Sequence, residues 1–162
     1  ETAARMSERL QIPVLGLPEY WLAMDAGYLG DHAGIGETSL LWHLEPELVR
    51  MDRIRSDPNY GKDDRIEKGS SVELGRKYAD VIVSRLRKLA AAMPGWNTGK
   101  LAAFIRAERS IVTAQVRAWR QTGERWAAWQ TVANGAARDY GKYLVNGQFA
   151  EIEAMASQLV GC

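Results

Sequence analysis

Residues 31–39 are the stretch of this chain best suited to do chemistry. Here Asp31 directly precedes His32, and Glu37 follows five positions later on the same glycine-bearing loop. An imidazole titrates near neutrality, and a neighbouring carboxylate can orient it, so the two groups together can transfer a proton. The predicted chemistry is therefore general acid-base catalysis.

Glycines and a predicted helix start extend this interpretation. Gly34 and Gly36 would let the backbone come close to a ligand. If a helix begins near Thr38, its first amide groups can point at an anion or a developing oxyanion. Taken without any analogy, however, the pattern is short, and a purely structural turn explains it equally well.

The elements around this loop predict a strand, a loop and a helix. Residues 12–17 form an apolar run typical of a buried strand, although Pro13 suits only the start or the edge of a sheet. Residues 19–30 would carry the chain past the end of that strand, where Trp21 either lines a pocket or belongs to the core. Apolar positions after Thr38 then fit a helix that Pro46 ends.

The remaining chain is predicted to be mostly helical. Residues 1–10 contain strong helix formers, whereas residues 56–69 are rich in loop formers. Ser70 and Glu73 have capping-box spacing and open a helix that Met93-Pro94-Gly95 stops. One long helix, or two broken near Gly123, follows from Thr98 to Asn134-Gly135, with shorter helices on either side of Asn146-Gly147.

Arginines and tryptophans alternate along the predicted long helix. Such a pattern occurs in nucleic-acid-binding helices, but also in amphipathic helices that pack on a partner. Because the aromatic residues recur at helical spacing, packing is the favoured interpretation, and Trp119, Trp126 and Trp129 would cover a companion chain or a neighbouring subunit.

Composition excludes several classes of function. The net charge of +1 over 162 residues gives no general attraction to nucleic acid or membranes. No apolar run approaches the roughly 20 residues that span a bilayer. The single cysteine, Cys162, can form no internal disulfide, and no signal-peptide pattern is present. We therefore expect a cytoplasmic protein.

A longer run of residues around the His32 loop resembles the C-terminal part of the creatininase (creatinine amidohydrolase) family. In that family an acidic residue, His, a small residue and Gly precede Glu-Thr-Ser-Leu, and a Pro-acid-Leu-Val step follows. The resemblance covers roughly residues 10 to 93. The residues that carry it are Tyr28-Leu29-Gly30-Asp31-His32-Ala33-Gly34-Ile35-Gly36-Glu37-Thr38-Ser39-Leu40-Leu41, Pro46-Glu47-Leu48-Val49 and Met51-Asp52-Arg53-Ile54.

This resemblance implies a metal-dependent hydrolase with an α/β fold, a mainly parallel sheet and a dinuclear zinc or manganese centre. Its substrate would be a small cyclic amide or related cyclic carbonyl compound. His32 would then be the acid-base group and Glu37 its supporting carboxylate. Tyr28, Asp31 and Gly34 would contact the substrate. Tyr28 replaces the tryptophan of creatininase itself, which argues against creatinine as the substrate.

The family's metal-ligand motifs, Glu-x-His and His-x-Glu, are not found before residue 12, and His43 is the only histidine besides His32. We therefore expect a missing N-terminal segment or a companion polypeptide to bind the metals, with the pair forming a homo-oligomer. Residues 1–95 would be the C-terminal portion of the hydrolase domain and residues 96–162 a helical extension. The alternative is a non-catalytic interaction or regulatory subunit that retains the fold.

Overall fold

A computed structural model of the chain describes residues 2–56, 65–123 and 136–159, and within these ranges the regular elements are helices, with no strand. The α-helices are α1 (Thr2–Leu10), α2 (Ile35–Leu44), α3 (Arg65–Gly69), α4 (Val72–Ala92), α5 (Thr98–Thr122), α6 (Tyr140–Val145) and α7 (Phe149–Gln158). Short 3₁₀ turns cover Glu19–Leu22, Met24–Ala26, Pro46–Leu48, Met51–Ser56, Met93–Gly95 and Ala136–Asp139. The predicted α/β fold with a mainly parallel sheet is therefore wrong for the described part of the chain.

The predicted strand at residues 12–17 is an irregular segment instead. The buried Ser7 hydroxyl of α1 accepts a hydrogen bond from the Val14 amide at 2.8 Å and lies 3.3 Å from the Val14 carbonyl, to which it donates. A side chain thus satisfies backbone groups that a strand would pair with a neighbouring strand. Pro13 and Pro18, which have no amide hydrogen to donate, also oppose a continuous ladder.

Helices α2 and α4 cross at very close range. A Cβ added to Gly75 would lie 1.9 Å from the Ser39 carbonyl oxygen, so only glycine allows this approach. The buried Ser39 hydroxyl donates to the Ile35 carbonyl at 2.6 Å and accepts from the Ser71 amide at 3.1 Å. The crossing therefore fixes the helix that follows the His32 loop against the amphipathic helix α4.

Helix α4 forms as its apolar spacing predicts, but its cap lies one residue later than predicted. The Ser71 hydroxyl, rather than that of Ser70, accepts from a first-turn amide, that of Leu74, at 3.1 Å. Likewise α5 is capped by the Asn97 side chain rather than by Thr98, and it ends at Gly123 with φ of 71°. In both cases a neighbouring residue of suitable type takes the extended N-cap conformation.

An ion pair attaches the turns before the loop to α4. Arg85 donates to both carboxylate oxygens of Asp25, at 2.5 and 2.6 Å, and to the Leu22 carbonyl at 2.6 Å. Burial alone would raise the pKa of Asp25, but the hydrogen bonds and charge of Arg85 outweigh it, so that the pKa lies below its usual value. The pair therefore holds the 3₁₀ turns in place at neutral pH.

The hydrophobic core includes residues from both halves of the chain. Trp21 is buried in this core, and its ring meets that of Tyr140 edge-on with the centroids 4.9 Å apart. Of the two alternatives for Trp21, the core is therefore the correct one. Phe104 of α5 and Phe149 of α7 pack on each other and on Trp96 at centroid distances of 5.3 to 5.8 Å. The predicted division at residues 95 and 96 remains a prediction.

Of the other predicted helices and loops, some are confirmed and some lie outside the described residues. Helix α1, the end of α2 before Pro46 and the two short helices around Asn146-Gly147 are confirmed. Part of the predicted loop at residues 56–69 is α3, while residues 57–64, and with them the rest of that loop, lie outside the described ranges. Trp126, Trp129 and the predicted helix end at Asn134-Gly135 also lie outside them. No helix in the described ranges is both long enough and apolar enough to cross a membrane.

The core also contains a carboxyl group, that of Glu108, which accepts a hydrogen bond from the buried Tyr140 hydroxyl. Burial raises the pKa of Glu108, and the Tyr140 hydrogen bond offsets only part of this rise. The folded state therefore holds the proton more tightly than the unfolded chain does. Consequently, the stability contributed by Glu108 is highest at acidic pH and falls as pH increases through the ordinary carboxyl pKa toward the raised one.

We expect Glu108→Gln to remove this part of the pH dependence. The amide keeps an oxygen that can accept from Tyr140 but carries no titratable charge. Urea unfolding of both proteins between about pH 4 and pH 7 should show the variant gaining stability relative to the parent as pH increases. A difference that stays constant with pH would contradict this assignment.

Candidate active-site loop

The loop before α2 is closed by the side chain of Asp31. Its carboxylate accepts from the amides of Gly36 at 2.7 Å and Glu37 at 3.0 Å, both in the first turn of α2. The first amides of a helix have no partner within the helix and carry a partial positive charge, so a carboxylate stabilises them. The helix start that the sequence suggested as an anion site is therefore occupied by the chain's own Asp31.

Next to this cap, the backbone is held in an uncommon conformation. His32 and Ala33 have φ of 51° and 59°, in the left-handed region that non-glycine residues rarely enter. Glu37 accepts from the Ala33 amide at 2.7 Å, and the Thr38 hydroxyl donates to the Ala33 carbonyl at 3.0 Å. These bonds keep His32 on the outside of the loop, where its side chain is exposed.

Gly34 is needed because of this turn. A Cβ at this position would lie 2.6 Å from the Asp31 carboxylate and 2.8 Å from its carbonyl oxygen. Any larger residue would therefore displace the cap of α2. Glycine is therefore required at position 34 for steric reasons. The contact of Gly34 with a substrate stays a prediction.

Tyr28 lies underneath the loop. Its side chain is 1% exposed, stacks on Tyr78 with ring centroids 5.0 Å apart, and donates to Glu19 at 2.9 Å. Burial first, and then the hydrogen bond and charge of Glu19, raise the pKa of the Tyr28 phenol well above its ordinary range. Tyr28 is therefore a neutral hydrogen-bond donor that supports the loop, and its predicted contact with a substrate is untested.

An apolar depression of about 250 Å³ lies against the outer side of the loop. Its lining joins the loop and α2 to the chain segments on either side of residues 57–64. The residues that form it are mostly apolar, with one charged side chain: Ala33, Thr38, Leu41, Leu48, Val49, Arg50, Met51, Ile54 and Ile66. Its size and composition suit the ring of a small molecule.

The described residues do not form a metal centre. Among residues 2–56, 65–123 and 136–159, no group of three or more His, Cys, Asp or Glu side chains is placed to hold an ion. Of the candidate ligands near the loop, Asp31 and Glu37 are already hydrogen-bonded to backbone amides. A dinuclear site does not fit these residues.

The structure thus brings four of the five predicted site residues, Asp31, His32, Gly34 and Glu37, onto one tight turn, with Tyr28 beneath it. The supporting residues Glu19 and Tyr78 were missed, because no local pattern relates positions so distant from the loop. Glu37 contacts the Ala33 amide, as the acidic residue of a capping box contacts the backbone before a helix. Its predicted support of His32 is untested.

The fold and this loop define a helical protein. Its candidate site is an exposed histidine that lies in a left-handed backbone conformation just before a helix. The family model described as creatininase, creatinine amidohydrolase, matches residues 3–91. The chain therefore belongs to the creatininase family, whose members are generally dependent on divalent metals. Neither the curated proteins nor the solved structures contain a match to it.

The cap leads to a stability prediction. We expect Asp31→Ala to lower the free energy of unfolding by about 1 to 3 kcal/mol, because two helix amides lose a charged acceptor. Chemical denaturation measures the loss. Asp52→Ala is the matched control, since its pair with Arg50 is exposed to solvent and should contribute little. Equal stability of the Asp31 variant and the parent would show that water replaces the carboxylate without cost.

Proposed function

We propose that this chain provides the proton-transfer loop of a creatininase-family hydrolase. The proposed substrate is a small cyclic amide or related cyclic carbonyl compound. The observation that carries the proposal is the conformation of His32, whose exposed imidazole projects from a left-handed turn that three side-chain hydrogen-bonding groups hold in place. Strained backbone of this kind is concentrated at functional sites, where the surrounding structure maintains it.

In this proposal His32 acts as a general acid that donates a proton to the leaving nitrogen as the amide bond breaks. Glu37 and Thr38 keep the loop in the conformation that presents the imidazole. The apolar depression beside Ala33 and Thr38 receives the ring of the substrate. Because most of that lining is apolar, it excludes water from one face of the bound ring.

The metal requirement of the family is met, in this proposal, outside the described residues. A companion polypeptide or a further segment would contribute the ligands of a zinc or manganese centre. The pair would assemble as a homo-oligomer. The described residues of this chain do not themselves form such a site.

Composition of the native material tests the proposal. The protein is isolated from its natural source through a small tag on this chain, and intact masses, metal content and hydrolysis of a panel of cyclic amides are measured. A second polypeptide in equal amount, about two metal ions per pair and hydrolysis that a chelator abolishes are expected. Isolation of the chain alone, without metal and without hydrolysis, would overturn the proposal.

A non-catalytic interaction subunit is the second candidate. The favouring observation is the Asp31 carboxylate, which already satisfies the helix amides that an oxyanion would use. Under this alternative, the companion would copurify but hydrolysis would not change when His32 is replaced.

A further inference from the structure

A long groove lies between α1 and the second half of α5, far along the chain from the His32 loop. Its volume is about 1070 Å³. Apolar side chains contribute to its lining from both helices: Ala4, Met6, Val112 and Val116. The α5 part runs from Arg109 to Arg120, which is about 16 Å of helix, so the groove can hold a short segment of chain.

Arginines dominate the charge of this groove. Arg109 forms an ion pair with Glu8 at 2.5 Å, and Glu8 is the only acidic residue of the lining. The other four are Arg5, Arg9, Arg117 and Arg120, all exposed. Within residues 2–56, 65–123 and 136–159 these four have no ion-pair partner. We call this surface the arginine groove.

The same chain carries a surface of opposite character. Leu44 to Leu48 are five consecutive exposed residues at the end of α2, where the sequence is Leu-Glu-Pro-Glu-Leu. Leu44 is 57% and Leu48 64% exposed, which is unusual for two leucines so close together. Glu45 and Glu47 have no ion-pair partner in the described part of the chain. We call this segment the acidic ridge.

We propose that the acidic ridge of one copy of this chain docks in the arginine groove of a second copy. The leucines would cover the apolar lining while the two glutamates pair with the free arginines. Because the contact joins two different surfaces, it is a head-to-tail interface that builds a ring or a filament. The near-neutral net charge of +1 imposes little repulsion between copies.

Other occupants fit the groove less well. A nucleic acid would neutralise the arginines but leave the apolar lining uncovered, and no aromatic side chain of the lining is available to stack on bases. Residues 124–135 of the same chain contain one glutamate and one arginine, so they offer no charge complement. The acidic ridge supplies both carboxylates and exposed aliphatic side chains.

Docking would also affect the proposed hydrolase site. Leu48 belongs to the depression that Ala33 and Thr38 line. The neighbouring copy, and its arginines, would therefore border that depression. The docking itself does not depend on any catalytic activity, so either proposal can fail without the other.

Charge reversal on each surface separately tests the interface. One full-length variant carries Arg117→Glu and Arg120→Glu, and a second carries Glu45→Lys and Glu47→Lys. Sedimentation velocity of each alone should show self-association at least about tenfold weaker than that of the parent protein, whose association should itself weaken as salt is added. An equimolar mixture should associate again, because the ridge of the first variant and the groove of the second are both intact.

The control reverses two exposed arginines of α4, Arg76→Glu and Arg87→Glu, which changes the net charge as much as the groove variant does without touching either surface. It should associate like the parent, and circular dichroism should show that all variants are folded. A parent that stays monomeric, or a mixture that does not associate, would overturn the proposal. So would a monomeric parent that binds a single-stranded oligonucleotide or an acidic test peptide through Arg117 and Arg120.

Discussion

Replacement of His32 by alanine should lower hydrolytic turnover by about 100- to 10,000-fold, the usual contribution of a positioned general acid. Stability should change little, because the side chain is exposed and the loop is held by Asp31, Glu37 and Thr38. The measurement is kcat on the assembled native enzyme with a cyclic amide substrate. Chemical denaturation of the same preparation shows whether the loop remains folded.

The other histidine provides the matched control. His43 lies on α2 near its C-terminal end, where its Cβ packs close to Gly75. His43→Ala removes an imidazole from α2 but leaves the one on the loop in place. Its kcat should therefore stay near that of the parent. If both variants, or neither, lose activity, His32 is not the proton donor.

The alkaline limb of the pH profile distinguishes a proton donor from a residue that only shapes the loop. A general acid must be protonated to act, so kcat of the parent should fall toward alkaline pH if His32 donates the proton. His32→Gln keeps a polar side chain of similar reach but cannot titrate. Its residual activity should lose that dependence on pH, whereas a structural role of His32 would leave the profile unchanged.

Replacement of Gly75 by alanine should destabilise the protein by at least about 2 kcal/mol and reduce soluble folded yield. In the middle of an isolated helix this change would favour folding by about 1 kcal/mol, since alanine has the higher helix propensity. At the α2–α4 crossing the new methyl group would lie 1.9 Å from the Ser39 carbonyl oxygen. The two helices must therefore move apart, and the Ser39–Ser71 hydrogen bond that joins them would lengthen or break.

Gly99→Ala is the control for helix propensity. Gly99 lies in the first turn of α5, is exposed, and an added Cβ would meet nothing nearer than 3.5 Å. Its free energy of unfolding should stay equal to that of the parent or increase slightly. If Gly75→Ala were also neutral or stabilising, the close crossing of α2 and α4 would not exist in solution.

Local sequence patterns predicted several parts of this molecule correctly. The apolar spacing of residues 74–89 and the Met93-Pro94-Gly95 stop determine α4, because each signal acts within a few residues of the chain. The His32 loop was found in the same way, as an acid, an imidazole, glycines and a helix start in consecutive positions. Family membership also followed from this run of residues, and it is confirmed over residues 3–91.

The strand at residues 12–17 shows where such reasoning fails. An apolar run becomes a strand only if another strand pairs with it, and pairing is a tertiary contact that the run itself does not encode. Here the Ser7 hydroxyl takes the backbone groups of Val14 instead. The predicted strand is therefore wrong, because a side chain and not a neighbouring strand pairs with this segment.

The sequence by itself determined the family and the positions of the main helices, and it named the candidate site residues. Only the tertiary structure decided the role of each side chain within the loop. Asp31 faces the amides of α2, Tyr28 lies beneath the loop on Tyr78, and His32 faces outward. The physical reason is that these directions depend on two successive left-handed residues and on contacts with α4, some 40 or more residues further along the chain.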